Sequence, residues 1–257
     1  MTAAALPCPI FDFHARLLPR PGATEDLLTT MAGAGIAGAA VAAGGVVGLD
    51  VLSAQITYGG YSTATPANDA VLAACAASGG RLVPFYFANP HAGVRAYRAQ
   101  VDAYRGLELS PAVHGLSFDD PRTRDYVAVA SDAGHPVYVV CLGRPGTRPA
   151  DLVALAARFP RTTFVFGHCG HTGIDIAGID MIAARENVVA ETSGCFGVVV
   201  RHALSRLGPR RVLFGTEYPL QHPAVELAKY ASLDLSADDW RQVAWHNARR
   251  ILREEYP

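Results

Sequence analysis

The chain has no CxxC spacing, and its five cysteines (Cys8, Cys75, Cys141, Cys169, Cys195) are scattered and odd in number. A disulfide framework is therefore not expected, and a reducing, cytoplasmic setting is the simplest one. No GxGxxG follows the first strand-like run, so the usual dinucleotide-binding fingerprint is missing. Neither sign of charge is in excess: 22 Lys and Arg stand against 23 Asp and Glu. Nucleic acid and acidic membrane surfaces are thus not expected partners. No apolar run reaches membrane-spanning length; the Ala/Gly-rich Met31–Leu49 reads as packing material. The opening MTAAALPCPIFDFH has no basic segment and is broken by Pro7, Pro9 and Asp12, so it does not read as a signal peptide.

What is present is enough apolar material for one large core: half of the 257 residues are hydrophobic and only 18% are charged. Short β-branched runs alternate with helical runs along the whole length. Strands are expected at about 9–17, Ile36–Ala43, Arg81–Phe87, Gly106–Ser110, Pro136–Leu142, Thr162–Gly167, Asn187–Thr192 and Arg211–Gly215. Helices are expected at Ala23–Ala34, Pro66–Ser78, Val94–Arg105, from Pro121, at Pro149–Phe159, within Gly170–Ile182, at Phe196–Leu207, Pro223–Ala231 and Ala237–Arg253. Gly44–Thr65 and Pro111–Asp120 read as loops, and the segment around Tyr58 and Tyr61 is long enough to lean over a site. Eight strand–helix units with no break in composition predict a single-domain TIM (β/α)8 barrel over residues 1–257.

Function in such a barrel lies at the C-terminal ends of the strands. Strict alternation in the first strand places Asp12, His14 and Arg16 on one face and Phe11, Phe13 and Ala15 on the other. Three polar or charged side chains on one face of an apolar strand need partners, a ligand or a metal. Later strand ends supply candidates: Glu108 and Ser110, Cys141, His168 with Cys169 and His171, and Thr216-Glu217-Tyr218. Taken singly, each is better read as a loop hydrogen-bonding residue; together they predict a small-molecule site.

Several motifs together resemble the amidohydrolase superfamily: Asp12-Phe13-His14-Ala15-Arg16, Gly106-Leu107-Glu108-Leu109-Ser110-Pro111, Phe166-Gly167-His168-Cys169-Gly170 and Leu213-Phe214-Gly215-Thr216-Glu217-Tyr218-Pro219. Asp119-Asp120-Pro121-Arg122, His135-Pro136-Val137 through Gly143, and the closing Trp245-His246-Asn247-Ala248-Arg249-Arg250-Ile251-Leu252 fit the same pattern. The similarity is to the branch of aminocarboxymuconate semialdehyde decarboxylase, resorcylate decarboxylase and related hydrolases. It implies a metal-dependent-hydrolase-like barrel, and homodimers are common among such relatives.

The resemblance also implies where a metal would sit, and there the chain departs from the family. His14 matches the first histidine of the family's strand-one HxH pair, but Arg16 stands in place of the second. Cys141 stands at a strand-five histidine ligand, His168 at the strand-six histidine, Glu217 at the strand-eight aspartate, and Glu108 where two-metal members carry a carboxylated lysine. A guanidinium offers only donors, and at about 5 Å from a divalent ion it would repel it by roughly 6–7 kcal/mol at an effective dielectric of about 20. Two arrangements stay open. One divalent ion, zinc or manganese, could sit on His14, Cys141 and Glu217 with His168 nearby. Alternatively, Arg16 takes the metal's electrostatic role, as is thought of some lactone-hydrolysing relatives; this arrangement is slightly preferred because Arg16 removes a ligand.

Either arrangement predicts a small-molecule hydrolase of an ester, lactone or amide. Glu217 would be the general base, His168 would orient or protonate the reacting group, and Arg16, Tyr218 and Glu108 would bind substrate. Nonoxidative decarboxylation of an aromatic or unsaturated acid is the alternative chemistry, with Arg16 on the carboxylate. A Cys141–His168 nucleophilic pair and a catalytically idle binding barrel complete the alternatives.

Overall fold

The computed structural model describes residues 8–253. The first half of the N-terminal stretch read above as lacking a signal, residues 1–7, lies outside them. Eight parallel strands run in sequence order: β1 (Ile10–Leu17), β2 (Ile36–Ala43), β3 (Leu82–Phe87), β4 (Gly106–Leu109), β5 (Val137–Val139), β6 (Phe164–Phe166), β7 (Val188–Glu191) and β8 (Val212–Leu213). Phe13 N donates to Phe214 O at 2.9 Å and Glu217 N to His14 O at 2.8 Å, so the segment following β8 returns to β1 and draws the sheet into a barrel. Helices alternate with the strands: α1 (Ala23–Gly33), α2 (Leu49–Tyr58), α3 (Asn68–Ala77), α4 (Arg95–Ala99), α5 (Pro111–His114), α6 (Pro121–Ala133), α7 (Pro149–Arg158), α8 (Ile176–Ala183), α9 (Gly197–Leu207), α10 (Pro223–Ala231), α11 (Ala237–Arg241) and α12 (Asn247–Leu252). This is the expected TIM barrel.

Local chemistry explains most element starts. Pro121 opens α6 behind Asp120, whose carboxylate accepts from Arg122 N at 2.9 Å. Pro149 and Pro223 also occupy the first turn of α7 and α10; Asp151 accepts from Arg148 N at 3.0 Å at the first, and His222 Nδ1 accepts from Ala224 N at 3.2 Å at the second. Two predicted loops hold helices: α2 lies within 44–65, and the single turn α5 follows β4 directly. The helix expected at Ala237–Arg253 is continuous in direction but passes through a π turn over Gln242–His246. Next to that turn, fully buried Asn247 donates to the carbonyls of Pro209 and Val212, each at 2.7 Å. It thereby ties the closing helix to the start of β8.

The core has two layers. Phe11, Phe13, Val83, Phe85, Tyr138, Val165, Val189 and Leu213 fill the barrel's interior, closed at one end by Ile251 and Leu252. Ala15 and Leu17 instead join the cluster of strand and helix residues that includes Leu27 and Met31. Strict alternation along β1 therefore fails. The pairing of β1 with β2 shifts register between Asp12 and Ala15, a bulge-like irregularity that resets which side chains face inward. Phe11 and Phe13 fill the barrel, yet His14 also points inward and stacks on Tyr138 with ring centroids 3.9 Å apart. Met181, on α8, is 46% exposed.

Candidate active site

The bulge on β1 delivers His14 and Arg16 to the C-terminal mouth and leaves Asp12 facing β8. The Asp12 carboxylate accepts from His14 N, Thr216 N and Thr216 Oγ1, stitching the seam between the first and last strands. Burial lifts its pKa to about 7, against the lowering effect of those hydrogen bonds.

Above the seam is a cluster of ion pairs. Arg16 Nε lies 2.7 Å from Glu217 Oε1, and Arg16 Nη2 lies 2.7 Å from Glu108 Oε1. His14 Nδ1 approaches Glu217 Oε2 at 2.6 Å, and His14 Nε2 faces Glu108 Oε2 at 3.5 Å. Burial alone would depress His14, but the Glu217 and Glu108 charges overcome it and raise its pKa to about 10. The same two carboxylates push Arg16 up against its own desolvation. Burial would raise Glu217, yet Arg16, His14 and His168 hold it well below the usual carboxylate range; Glu108 is lowered by Arg16 and His14 in the same sense. Two cations therefore balance two anions, and the buried charges are paired as they must be.

His168 follows β6 in a short turn, with backbone φ of 59°, and Glu217 has the same value after β8. Left-handed backbone at two non-glycine residues is costly, and it turns both side chains into one space. His168 Nε2 lies 3.2 Å from Glu217 Oε2, while Nδ1 lies 2.9 Å from Ser193 Oγ. Ser193 Oγ, Ser193 N, His168 N and Tyr138 Oη all donate to the buried Glu191 carboxylate, at 2.9, 2.6, 3.2 and 2.7 Å. Two glycines make room for this scaffold. A Cβ on Gly167 would lie 2.5 Å from the Tyr138 ring, and one on Gly215 would overlap the Glu191 carboxylate.

A cavity of about 830 Å³ opens over the cluster, with Arg16, His168, Ser193 and Glu217 in its floor and Phe87, Ser110 and Cys141 in its wall. Arg16, Glu217 and His168 thus come together as expected. Glu108 joins them only from beneath: it is fully buried and outside the cavity wall, so it positions Arg16 and does not reach substrate. Tyr218 also stays out of the cavity, its hydroxyl accepting from Thr30 Oγ1 on α1 at 3.5 Å. Cys141 lines the wall, but burial pushes its thiol well above the normal range, which disfavours a nucleophilic thiolate. Among the described residues, the three metal-capable atoms within 4.8 Å of one another belong to His14, His168 and Glu191, not to Cys141.

Tyr138, Glu191 and Ser193 escaped the sequence reading. Glu191 and Ser193 lie at the end of strand seven, where the strand-end rule that found Glu217 applies equally. Tyr138 gave no signal, because it sits mid-strand among apolar neighbours.

The family model for amidohydrolases matches residues 11–253. The chain belongs to the amidohydrolase family. No curated protein sequence matches this amidohydrolase. Solved structures similar to it include 5-carboxyvanillate decarboxylase from Novosphingobium aromaticivorans, complexed with manganese (TM-score 0.72, 15% identity, 98% of each chain covered). Another is 2,6-dihydroxybenzoate decarboxylase from Rhizobium (TM-score 0.69, 17% identity, 95% of this chain and 98% of that one). An uncharacterized TIM-barrel protein from Bordetella bronchiseptica is 20% identical with a TM-score of 0.73, over 96% of this chain and 99% of its own. At these identities the likeness establishes the fold and leaves the chemistry to the site.

Proposed function

We propose that this amidohydrolase hydrolyses a small, uncharged ester, lactone or amide, and that Arg16 takes the electrostatic place of a metal ion. The observation that carries the reading is the double grip on Arg16: Glu217 holds Nε and Glu108 holds Nη2, each at 2.7 Å. The guanidinium fills the space between the carboxylates that a cation would need, and its fixed charge opposes a second cation beside it. His14, His168 and Glu191 do not form an open donor set, because Glu191 already accepts four hydrogen bonds and both His14 ring nitrogens face carboxylates, Nδ1 that of Glu217 and Nε2 that of Glu108. The residues present therefore do not fit a resident metal of the family's kind.

In this reading a water at the cavity floor adds its oxygen to the substrate carbonyl carbon and gives its proton to His168. Glu217 is a poor proton acceptor because its neighbours hold it ionised. Its charge, 3.2 Å from the imidazole, instead stabilises the imidazolium that forms. The role of general base expected for Glu217 thus passes to the His168–Glu217 pair. Arg16 Nη1 has only a 3.5 Å contact to Ala43 O, so it is the guanidinium nitrogen left to meet the developing oxyanion. His168 then returns the proton to the leaving oxygen or nitrogen as its bond to carbon breaks, giving an acid and an alcohol or amine.

A carboxy-lyase is the second reading, supported by the two decarboxylases of similar fold and by the same Nη1, which could meet a substrate carboxylate. The purified enzyme is tested on neutral esters and lactones by acid release, and on hydroxybenzoates by CO2 release. Acid release abolished by His168→Ala supports hydrolysis, whereas CO2 release alone overturns it in favour of the lyase. Inertness on both panels rejects both chemistries and leaves a binding barrel.

A further inference from the structure

We infer that the substrate carries an extended apolar tail, which lies along α2 while its carbonyl sits over His168 and Glu217. This inference rests on the hydrolase reading for the carbonyl's place, but the chain's place comes from a different part of the cavity. Helix α2 presents Leu49, Leu52 and Ile56 to the cavity, an i, i+3, i+7 stripe on one face. Val46 and Val47 extend the stripe toward β2, and Leu220 faces it from the segment after β8.

Val46, Val47 and Leu52 are partly buried against the core, but the outer side chains of the stripe are not packed as a core would pack them. Leu49 is 63% exposed, Ile56 41% and Leu220 52%, and Gln55 is the one buried residue of α2. Leu52 ties that face to the core, and hydrogen bonds to neighbouring segments fix the helix as well. Arg144 Nη2 donates to Gln55 O at 2.6 Å, and Ser62 N donates to Val113 O at 2.8 Å, so the segment is pinned from the β5 and β4 sides. An apolar stripe held in place but only partly covered, continuous with a polar catalytic floor, suits a ligand that is apolar at one end and a neutral carbonyl at the other. With Arg16 and His14 both ion-paired to Glu108 and Glu217, these four groups leave no net positive charge in the floor to favour an acid headgroup over a neutral carbonyl.

The test uses binding, so that it does not require turnover. Straight-chain methyl ketones from hexanone to dodecanone, which keep the carbonyl and cannot be hydrolysed, are titrated into the full-length enzyme by calorimetry. Affinity is expected to rise about fourfold per added methylene, the gain from burying each CH2. Leu52→Gln and Ile56→Gln should flatten that rise. Val51→Gln, on the opposite face and 43% exposed, should leave it intact. Affinity that does not change with chain length, or a rise unaltered in both cavity-face variants, overturns the inference. Ketones that bind with the expected rise while no ester is cleaved would retain the chain site and reject the hydrolase reading. Hydrolysis indifferent to chain length would do the reverse.

Discussion

At the scale of single residues, Arg16 is the pivot. Substituting Arg16→Met leaves Glu108 buried with only the 3.5 Å approach of His14 Nε2, which should destabilise the fold by about 3 kcal/mol in urea unfolding and abolish turnover. Arg16→Lys keeps a charge but cannot span two carboxylates with separate nitrogens, so activity should fall while much of the stability returns. A smaller loss than about 1 kcal/mol for Arg16→Met would mean that the buried pair is not formed. His14 adds a pH signature. Its pKa is raised in the folded state to about 10, so the stability it contributes is complete below its ordinary value of about 6.5 and is lost as pH climbs through 10. Glu217 is shifted down, so its contribution is present above about 4.5 and is lost on acidification. Stability measured against pH should therefore show a plateau, and His14→Gln should remove part of the alkaline decline relative to wild type. An identical alkaline limb in the variant would contradict the His14–Glu217 pairing.

At the scale of elements, the seam and the scaffold behind His168 decide the site. Asp12→Ala strips three acceptor contacts from the β1–β8 seam and leaves Thr216 N unpartnered, an expected cost of about 1–3 kcal/mol. Gly215→Ala forces Glu191 away from Ser193 and Tyr138. Activity should then fall more than the melting temperature does, measured by calorimetry beside the ester assay. These two elements also show what the chain discloses of itself. Strands and most helix starts were legible because apolar runs and Asp120-Pro121-type starts act locally. Helix α2 was hidden inside a presumed loop because its short Leu49, Leu52, Ile56 stripe is flanked by Gly44, Gly45, Gly48, Gly59 and Gly60, whose turn-forming signal outweighs it. The inward turn of both Phe13 and His14 was hidden too, since a register shift depends on the partner strand and not on the alternation within β1.

At the scale of the whole molecule, a barrel fold shared with a manganese-bound decarboxylase carries an arginine within its own carboxylate cluster. His14, Arg16, Glu217 and His168 were readable as strand-end residues, but their mutual geometry was not. Whether Arg16 sits between two carboxylates or swings aside depends on where β4 and β8 end. Among the described residues no helix is long and apolar enough to cross a membrane. The test that bears most directly on the account is elemental analysis of untagged protein, paired with ester or lactone hydrolysis before and after dialysis against a chelator. The account predicts no stoichiometric metal and undiminished hydrolysis after dialysis. About one divalent ion per chain, with activity lost on chelation and restored by zinc or manganese, would contradict it.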